Sequence, residues 1–256
     1  AAQVRGDLDA RLGRLRPPGT TVRTVAPPTA PLVDAVIVAY NSAPDLPGCV
    51  AALAPHERVN VIVVDNASPD DTEAALEGLD ATLVRAGRNG GFAAGTNTGW
   101  RTGSAPYVLL LNPDARLAPA DLDALIAVLD AEPGTAIAAP RILEEDGSLA
   151  FSQRRFPRRR STFAQALFLH RLWPNAAWTD ELIRDPDAYT RAGTPDWVSG
   201  ACLLIRRSVL ERLGGLDESF FLYCEDIDLC ARTREAGWNI RFAPAATAHH
   251  EGGASA

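Results

Sequence analysis

The sequence predicts an α/β domain, a mostly parallel sheet covered by helices on both faces. Two observations carry that expectation. Short, continuous apolar runs alternate along the chain with segments of helical spacing, the pattern of strands buried on both sides. Two of those runs end abruptly in acids, Val64 into Asp65 and Leu111 into Asn112 and Asp114. Ligands of open α/β sheets bind beyond the carboxyl ends of strands, so both acids are expected to point at one crevice.

The elements follow in order from Asp34. Residues 35–39 read as a buried strand, 46–53 as a short helix and 59–64 as a second apolar strand. Ser68-Pro69-Asp70-Asp71 has the composition of a helix start, with Ser as the cap, Pro in the first turn and acids against the positive end of the dipole. Residues 82–84 read as a third strand, 92–100 as a helix punctuated by glycine and 107–111 as a fourth strand. Pro119 opens a helix whose Leu122, Leu125, Ile126 and Leu129 share one face, and 136–139 read as a fifth strand. Residues 141–178 are irregular, Arg-rich and aromatic; 197–205 then read as a strand, 208–213 and 229–236 as helices, and 239–243 and 247–250 as short strand-like pieces.

Residues 1–31 read as an appendage. Leu8, Leu12 and Leu15 have helical spacing, but Pro17-Pro18-Gly19 stops the helix and a proline-rich linker follows. The rest, 32–256, reads as one domain with an α/β half over 32–145 and a smaller mixed lobe over 146–256.

Composition narrows the function. A chain of 256 residues, 46% hydrophobic and 22% charged, can bury a full core. The net charge of −7 argues against general nucleic-acid binding, although Arg154, Arg155, Arg158, Arg159 and Arg160 crowd together in a chain that has no Lys. The four Cys are scattered with no CxxC pair, which removes zinc-ribbon spacing and fits core thiols in a reducing cytosol. No apolar run reaches the ~20 residues needed to span a bilayer, and no signal-peptide pattern is visible. With no Met in the chain, Ala1 is not expected to be the natural start.

The chemistry concentrates in residues 220–232, where Glu225, Asp226 and Asp228 interrupt an otherwise apolar segment. A buried carboxylate with a raised pKa is a competent general base. Asp114 is a candidate hard-cation ligand for Mg²⁺ or Mn²⁺, with a plain Asn-Pro-Asp turn as the alternative. Asp65 has the chemistry to accept hydrogen bonds from a base or ribose, or to cap a turn. The glycine-rich stretch from Arg88 to Asn97 lets backbone approach an anion, yet it contains no GKS or GKT, and no GxGxxG follows the first strand. His249-His250 reads either as a metal or phosphate ligand or as a surface pair.

Taken in order, several segments resemble inverting glycosyltransferases of family 2, which have the GT-A fold. They are Val36-Ile37-Val38-Ala39-Tyr40-Asn41, Val64-Asp65-Asn66-Ala67-Ser68, Asn89-Gly90-Gly91-Phe92-Ala93 with Asn97 and Gly99, Leu111-Asn112-Pro113-Asp114, and Gly214-Gly215-Leu216-Asp217 leading to Glu225-Asp226-Ile227-Asp228. The Trp197-Val198-Ser199-Gly200-Ala201 segment also matches. The Asn-Pro-Asp form and the closing His250-Glu251-Gly252-Gly253-Ala254-Ser255 resemble the rhamnosyltransferase branch, which uses dTDP-rhamnose on cell-wall or polysaccharide precursors.

The resemblance implies roles. Asp226 is the catalytic base, with Glu225 supporting it or touching the acceptor. Tyr40, Asn41, Asn89, Gly91 and Asn112 lie near the nucleotide, Asp65 reads the pyrimidine and Arg232 reaches the diphosphate. Asp114 and His250 hold a divalent cation, Mg²⁺ or Mn²⁺, and Asn112 stands where the family's usual motif has a first acid. Trp197 and Gly200 line the sugar and acceptor cleft. The implied partners are a dTDP- or UDP-linked sugar and a glycan or polyprenyl-linked acceptor, without nucleic acid. UDP-galactofuranose or a UDP-hexose is the alternative donor. The Arg154–Arg160 cluster, followed by Phe163, Leu167, Phe168, Leu169, Leu172 and Trp173, suits acceptor phosphates, a membrane surface or a homodimer helix. The implied location is cytoplasmic, at the inner face of the cell membrane. Two rivals are a sugar nucleotidyltransferase, which needs a basic glycine-rich loop where Tyr40-Asn41-Ser42-Ala43-Pro44 stands, and a non-catalytic module, which needs no acid at 226.

Overall fold

β1 (Val33–Ala39) is buried along its whole length. It pairs in parallel with β2 (Val59–Asp65) on one side and β4 (Tyr107–Leu111) on the other. A strand enclosed on both faces has no use for polar alternation, and this produces the unbroken apolar runs in the sequence. The computed structural model describes residues 30–157 and 181–250, with 159, 163, 167–169 and 172. Residues 1–29 of the appendage, Arg158 and Arg160 of the arginine cluster, most of 161–180, and Glu251-Gly252-Gly253-Ala254-Ser255 of the closing motif lie outside the described residues.

The remaining elements are α1 (Leu46–Leu53), α2 (Thr72–Ala75), β3 (Thr82–Arg85), α3 (Gly91–Thr102), β5 (Ala115–Leu117), α4 (Pro119–Ala131), β6 (Thr135–Glu144), β7 (Leu149–Ala150), β8 (Gln153–Arg154), β9 (Trp197–Val198), β10 (Cys202–Arg206), α5 (Arg207–Leu213), α6 (Glu225–Glu235) and β11 (Asn239–His250). The main sheet runs β3-β2-β1-β4-β10-β6-β11-β5, with β7 beside β6, and β8 and β9 form a separate ribbon. β3 to β4 is parallel. Past β4 the sheet is mixed, because β10 enters antiparallel between β4 and β6.

Two apolar cores flank the sheet. One gathers Leu46, Cys49 and Leu53 of α1 with Leu122, Leu125 and Leu129 of α4. The other gathers Ala93 and Trp100 of α3, Val209 and Leu210 of α5, and Leu229 and Cys230 of α6. The two are cross-tied by a buried ion pair. Arg207 reaches Asp34 at 2.6 Å, and Asp34 also accepts from Asn60 Nδ2 and the Ala105 amide. Arg207 donates its other N–H groups to the Trp100 and Ala105 carbonyls. A buried charge so completely satisfied welds β1 and β2 to the start of α5.

Several expected boundaries move. Ser68 is not a helix cap: its hydroxyl donates to the Ala39 carbonyl and accepts the Asn41 amide. The cap is Asp71, which accepts from the Ala74 amide. The single strand expected at 197–205 is two, broken at Ser199-Gly200-Ala201, because β9 joins the small ribbon and β10 the main sheet. The two short pieces at the end are one strand, β11, with a register shift between Ala243 and Thr247. α6 starts at Glu225 rather than Leu229, so the acids occupy its first turn, where the helix dipole favours them. Cys49, Cys202 and Cys230 are buried and Cys224 is exposed. Burial pushes the Cys49 and Cys230 thiols up to about 12. Among the described residues no helix is long and apolar enough to cross a membrane.

Candidate active site

The carboxyl ends of β1, β2 and β4 open onto a cavity of about 470 Å³, a size that accommodates a small organic ligand. β1 supplies Tyr40 and Asn41 to its wall, the start of α3 supplies Asn89, Gly91 and Phe92, and the segment after β4 supplies Asn112 and Asp114. The β9–β10 break contributes Ser199 and Gly200, α6 contributes Glu225 and Asp226, and β11 ends there in His250.

The wall near α3 is stiffened by Asn66, which sequence reasoning did not single out as a site residue. It is 3% exposed. Its amide donates to Asn89 Oδ1 at 2.9 Å and to the Gly91 carbonyl, and its oxygen accepts the Gly90 amide. The signal available was its position at the strand end, one residue past Asp65. Asp65 itself borders the cavity without lining it. Its carboxylate accepts the Ser68 amide at 2.8 Å and shapes the turn that follows.

Gly91 sits at φ +85°, and a Cβ there would come within 2.1 Å of the Phe221 carbonyl oxygen. That carbonyl accepts the Phe92 amide at 2.9 Å, so the 217–224 loop is docked on the start of α3. The loop presents Phe221, Leu222 and Tyr223 to solvent at the cavity mouth.

Asp114 is 1% exposed. His250 Nε2 lies 3.1 Å from its Oδ1 and 3.5 Å from the Asn112 amide nitrogen. Two adjacent donors on one octahedral Mg²⁺, each about 2.1 Å from the ion, are about 3 Å apart. The spacing is that of a hydrogen-bonded Asp–His pair, and a carboxylate and an imidazole are also donors that Mg²⁺ or Mn²⁺ accepts. No group of three His, Cys, Asp or Glu side chains converges among the described residues.

Asp226 opens α6 with both carboxylate oxygens engaged. Oδ2 accepts the Gly200 amide at 3.1 Å and Oδ1 accepts the Ile227 amide at 2.8 Å. Burial raises its pKa, while those amides and the charge of Arg154 pull the other way. Glu225 is 7% exposed. Its Oε2 is buried without a hydrogen-bond partner among the described residues. Burial pushes its carboxyl above the usual range, and the neighbouring Asp226 adds to the shift. Both carboxyls thus hold a proton to higher pH than ordinary acids do and have the chemistry of a general base.

Besides Asp65, two expected site residues do not line the cavity. Arg232 pairs with Asp228 at 2.6 Å and donates to the Leu213 and Gly215 carbonyls, bracing the turn after α5. Trp197 is in the core, its indole N–H bonded to the Arg155 carbonyl. Gly200 reaches the cavity through its backbone amide.

The sequence model described as Glycosyl transferase family 2 matches residues 34–214. The chain belongs to glycosyl transferase family 2. It is 33% identical over 230 residues to N-acetylglucosaminyl-diphospho-decaprenol L-rhamnosyltransferase of Mycobacterium tuberculosis (strain ATCC 25618 / H37Rv), covering 84% of this chain and 74% of that protein. It is 28% identical over 182 residues to rhamnosyltransferase WbbL of Escherichia coli (strain K12), covering 69% of this chain and 64% of the relative. Among solved structures, the mannosyltransferase PcManGT from Pyrobaculum calidifontis, in complex with GDP-Man and Mn²⁺, superposes with a TM-score of 0.60 at 20% identity, over 98% of this chain and 65% of that one. GalNAc-T7 with UDP, GalNAc and Mn²⁺ gives 0.64 at 16% identity, over 87% and 44%. The likenesses establish the GT-A fold, and family 2 membership makes this chain a nucleotide-sugar glycosyltransferase. The family match ends at Gly214, before α6, so the acids at 225 and 226 lie beyond the matched residues.

Proposed function

We propose that this family 2 enzyme transfers rhamnose from dTDP-rhamnose, with inversion, to a sugar carried on a polyprenyl diphosphate, and that Asp226 is its general base. The observation that carries the reading is the shared cavity: a partly buried carboxylate with a raised pKa, Asp226, lines the same space as the Asp114–His250 pair. The choice of rhamnose and of a lipid-linked acceptor is supported by the names of the curated relatives. A lipid-linked acceptor places the reaction at a membrane surface, which is the cytoplasmic face when the donor is a cytosolic nucleotide sugar.

Asp226 takes the proton of an acceptor hydroxyl while that oxygen attacks the anomeric carbon. The bond to the diphosphate breaks on the opposite face, configuration inverts and the nucleoside diphosphate leaves. Asp114 and His250 would hold Mg²⁺ or Mn²⁺, which offsets charge gathering on the departing diphosphate. Glu225 hydrogen-bonds the acceptor through its unpartnered Oε2. Tyr40, Asn41, Asn89, Gly91 and Asn112 border the nucleotide, and Asp65 and Asn66 shape its end of the cavity.

Asp226→Asn tests the base. Turnover should fall by about 10²–10⁴, with dTDP-rhamnose affinity by calorimetric titration within a few-fold of wild type. Undiminished turnover would remove Asp226 from the mechanism. A thermal-shift screen with dTDP-rhamnose, UDP-galactofuranose, UDP-glucose and GDP-mannose, with and without Mn²⁺, tests the donor, because a ligand of the native state raises its apparent stability.

A further inference from the structure

The arginines of this chain that are partly or wholly withdrawn from water mostly find oxygen partners. Arg207 pairs with Asp34, Arg232 with Asp228 and Arg241 with Glu132. Arg206 and Arg234 donate to backbone carbonyls. Arg154 does not follow the pattern. Its guanidinium lies 5.0 Å over the Trp197 ring. Its Nε is buried with no hydrogen-bond partner among the described residues. A half-buried guanidinium on an aromatic floor can take an anion at its outer edge, since guanidinium binds phosphate in bidentate fashion and stacks on rings.

Its place in the fold says which anion. Arg154 faces Trp197 across the β8–β9 ribbon. Two residues on, the Ser199 amide bonds the Ser152 carbonyl, and the next amide, that of Gly200, holds Asp226. Three residues of extended chain span at most about 10 Å, so the Trp197 backbone beneath the cation and the Gly200 amide that holds the base are no further apart than that. The two groups interact: the positive charge of Arg154 is felt at the Asp226 carboxylate. The site lies on the ribbon of the acceptor half, while the cation pair formed by Asp114 and His250 lies at the ends of β4 and β11. Two anionic groups can thus be held in separate places.

We infer that Arg154, stacked on Trp197, binds the phosphate that joins the acceptor sugar to its lipid and so sets the acceptor hydroxyl in register with Asp226. The inference rests on the lipid-linked acceptor reading above. The shared chemistry is a phosphate ester, and a phospholipid headgroup at a membrane surface is the other source of it.

The test uses two soluble probes with one sugar and one alkyl chain length: N-acetylglucosamine as an alkyl diphosphate ester, and the same sugar as a neutral alkyl glycoside. Wild type and Arg154→Gln are titrated with both, and KM and kcat are measured with dTDP-rhamnose as donor. Loss of one charge-assisted contact should weaken the diphosphate probe about tenfold in Kd and KM. The neutral glycoside and dTDP-rhamnose should change by less than about twofold. Arg154→Lys, which keeps the charge, should recover part of the affinity and serves as the folding control. Equal weakening of both probes, or of neither, overturns the assignment. Sedimentation with phosphatidylglycerol vesicles separates the two sources: if Arg154→Gln loses vesicle binding but keeps diphosphate affinity, Arg154 serves the membrane and the acceptor assignment falls. If wild type turns over neither probe with any donor, the rhamnosyl reading fails, while the two titrations still decide the phosphate site.

Discussion

Glu225 and Asp226 are held in a site where being charged is costly. Burial raises both carboxyls above their ordinary values of 4.5 and 3.8. A group whose pKa rises on folding stabilises the fold below its unfolded value, and that contribution is lost as pH climbs through the folded value. Glu225→Gln, which keeps the shape and removes the charge, should therefore match wild type in urea stability near pH 4 and exceed it near pH 8. Lower stability of the variant near pH 8 would show that the carboxylate has a stabilising partner. Gly91 has a steric reason for its identity. Any Cβ at φ +85° would meet the Phe221 carbonyl. Gly91→Ala should cost about 1–3 kcal/mol from strain alone. It should also loosen the 217–224 loop, which limited proteolysis would report as faster cleavage there.

At the scale of elements, the 217–224 loop is held at both ends by α3. Asn97 donates to the Leu216 carbonyl and Glu218 Oε1, each at 2.8 Å, and accepts from the Leu216 amide and the Trp100 indole. Gly215, at φ +90°, leaves room for this: a Cβ would lie 2.3 Å from Asn97 Oδ1. One buried side chain thus fixes the turn from which the loop and α6 depart. Asn97→Leu would leave several buried polar groups unsatisfied and should cost on the order of 3 kcal/mol. Because the loop forms the cavity mouth, the same variant should raise KM for both substrates. A variant destabilised in urea with unchanged KM values would separate the turn from the site. α6 is the other decisive element. Tyr223 and Cys224, both at positive φ, turn the chain so that its first residues carry the acids into the cavity.

At the scale of the molecule, the Asp34–Arg207 pair joins the nucleotide side of the sheet to the lobe that supplies Asp226. Arg207→Leu leaves Asp34 buried and should cost about 3–5 kcal/mol in denaturant unfolding, with part recovered in the double variant Asp34→Asn, Arg207→Leu. The cavity likewise needs distant parts of the chain to meet. Asp114→Ala should weaken dTDP-rhamnose binding by about tenfold or more when Mg²⁺ or Mn²⁺ is present, and by much less in EDTA. Equal loss in both conditions would place Asp114 outside the cation site.

Much of the parallel half was legible because its strands are buried on both faces, and a doubly buried strand has to be apolar throughout. The helical face of Leu122, Leu125, Ile126 and Leu129 was legible for the same reason of period. The break at Ser199-Gly200-Ala201 was not, since the residues on either side are equally apolar and differ only in which sheet accepts them. Nor was the exchange of roles at the end of β2, where Asp65 turns into its own loop and Asn66 takes the cavity wall: two adjacent polar residues look alike until the pleat aims them. Arg232 was misplaced because a charge in a motif carries no direction, and the burial of Trp197 beneath Arg154 was not legible for the same reason. Composition and hydrophobic period, being local, thus determined the alternating elements and the acids at their ends. Which acids share a cavity, and which arginine comes to lie over the Trp197 ring, is a matter of distances between residues far apart in the chain, and only the folded packing sets those.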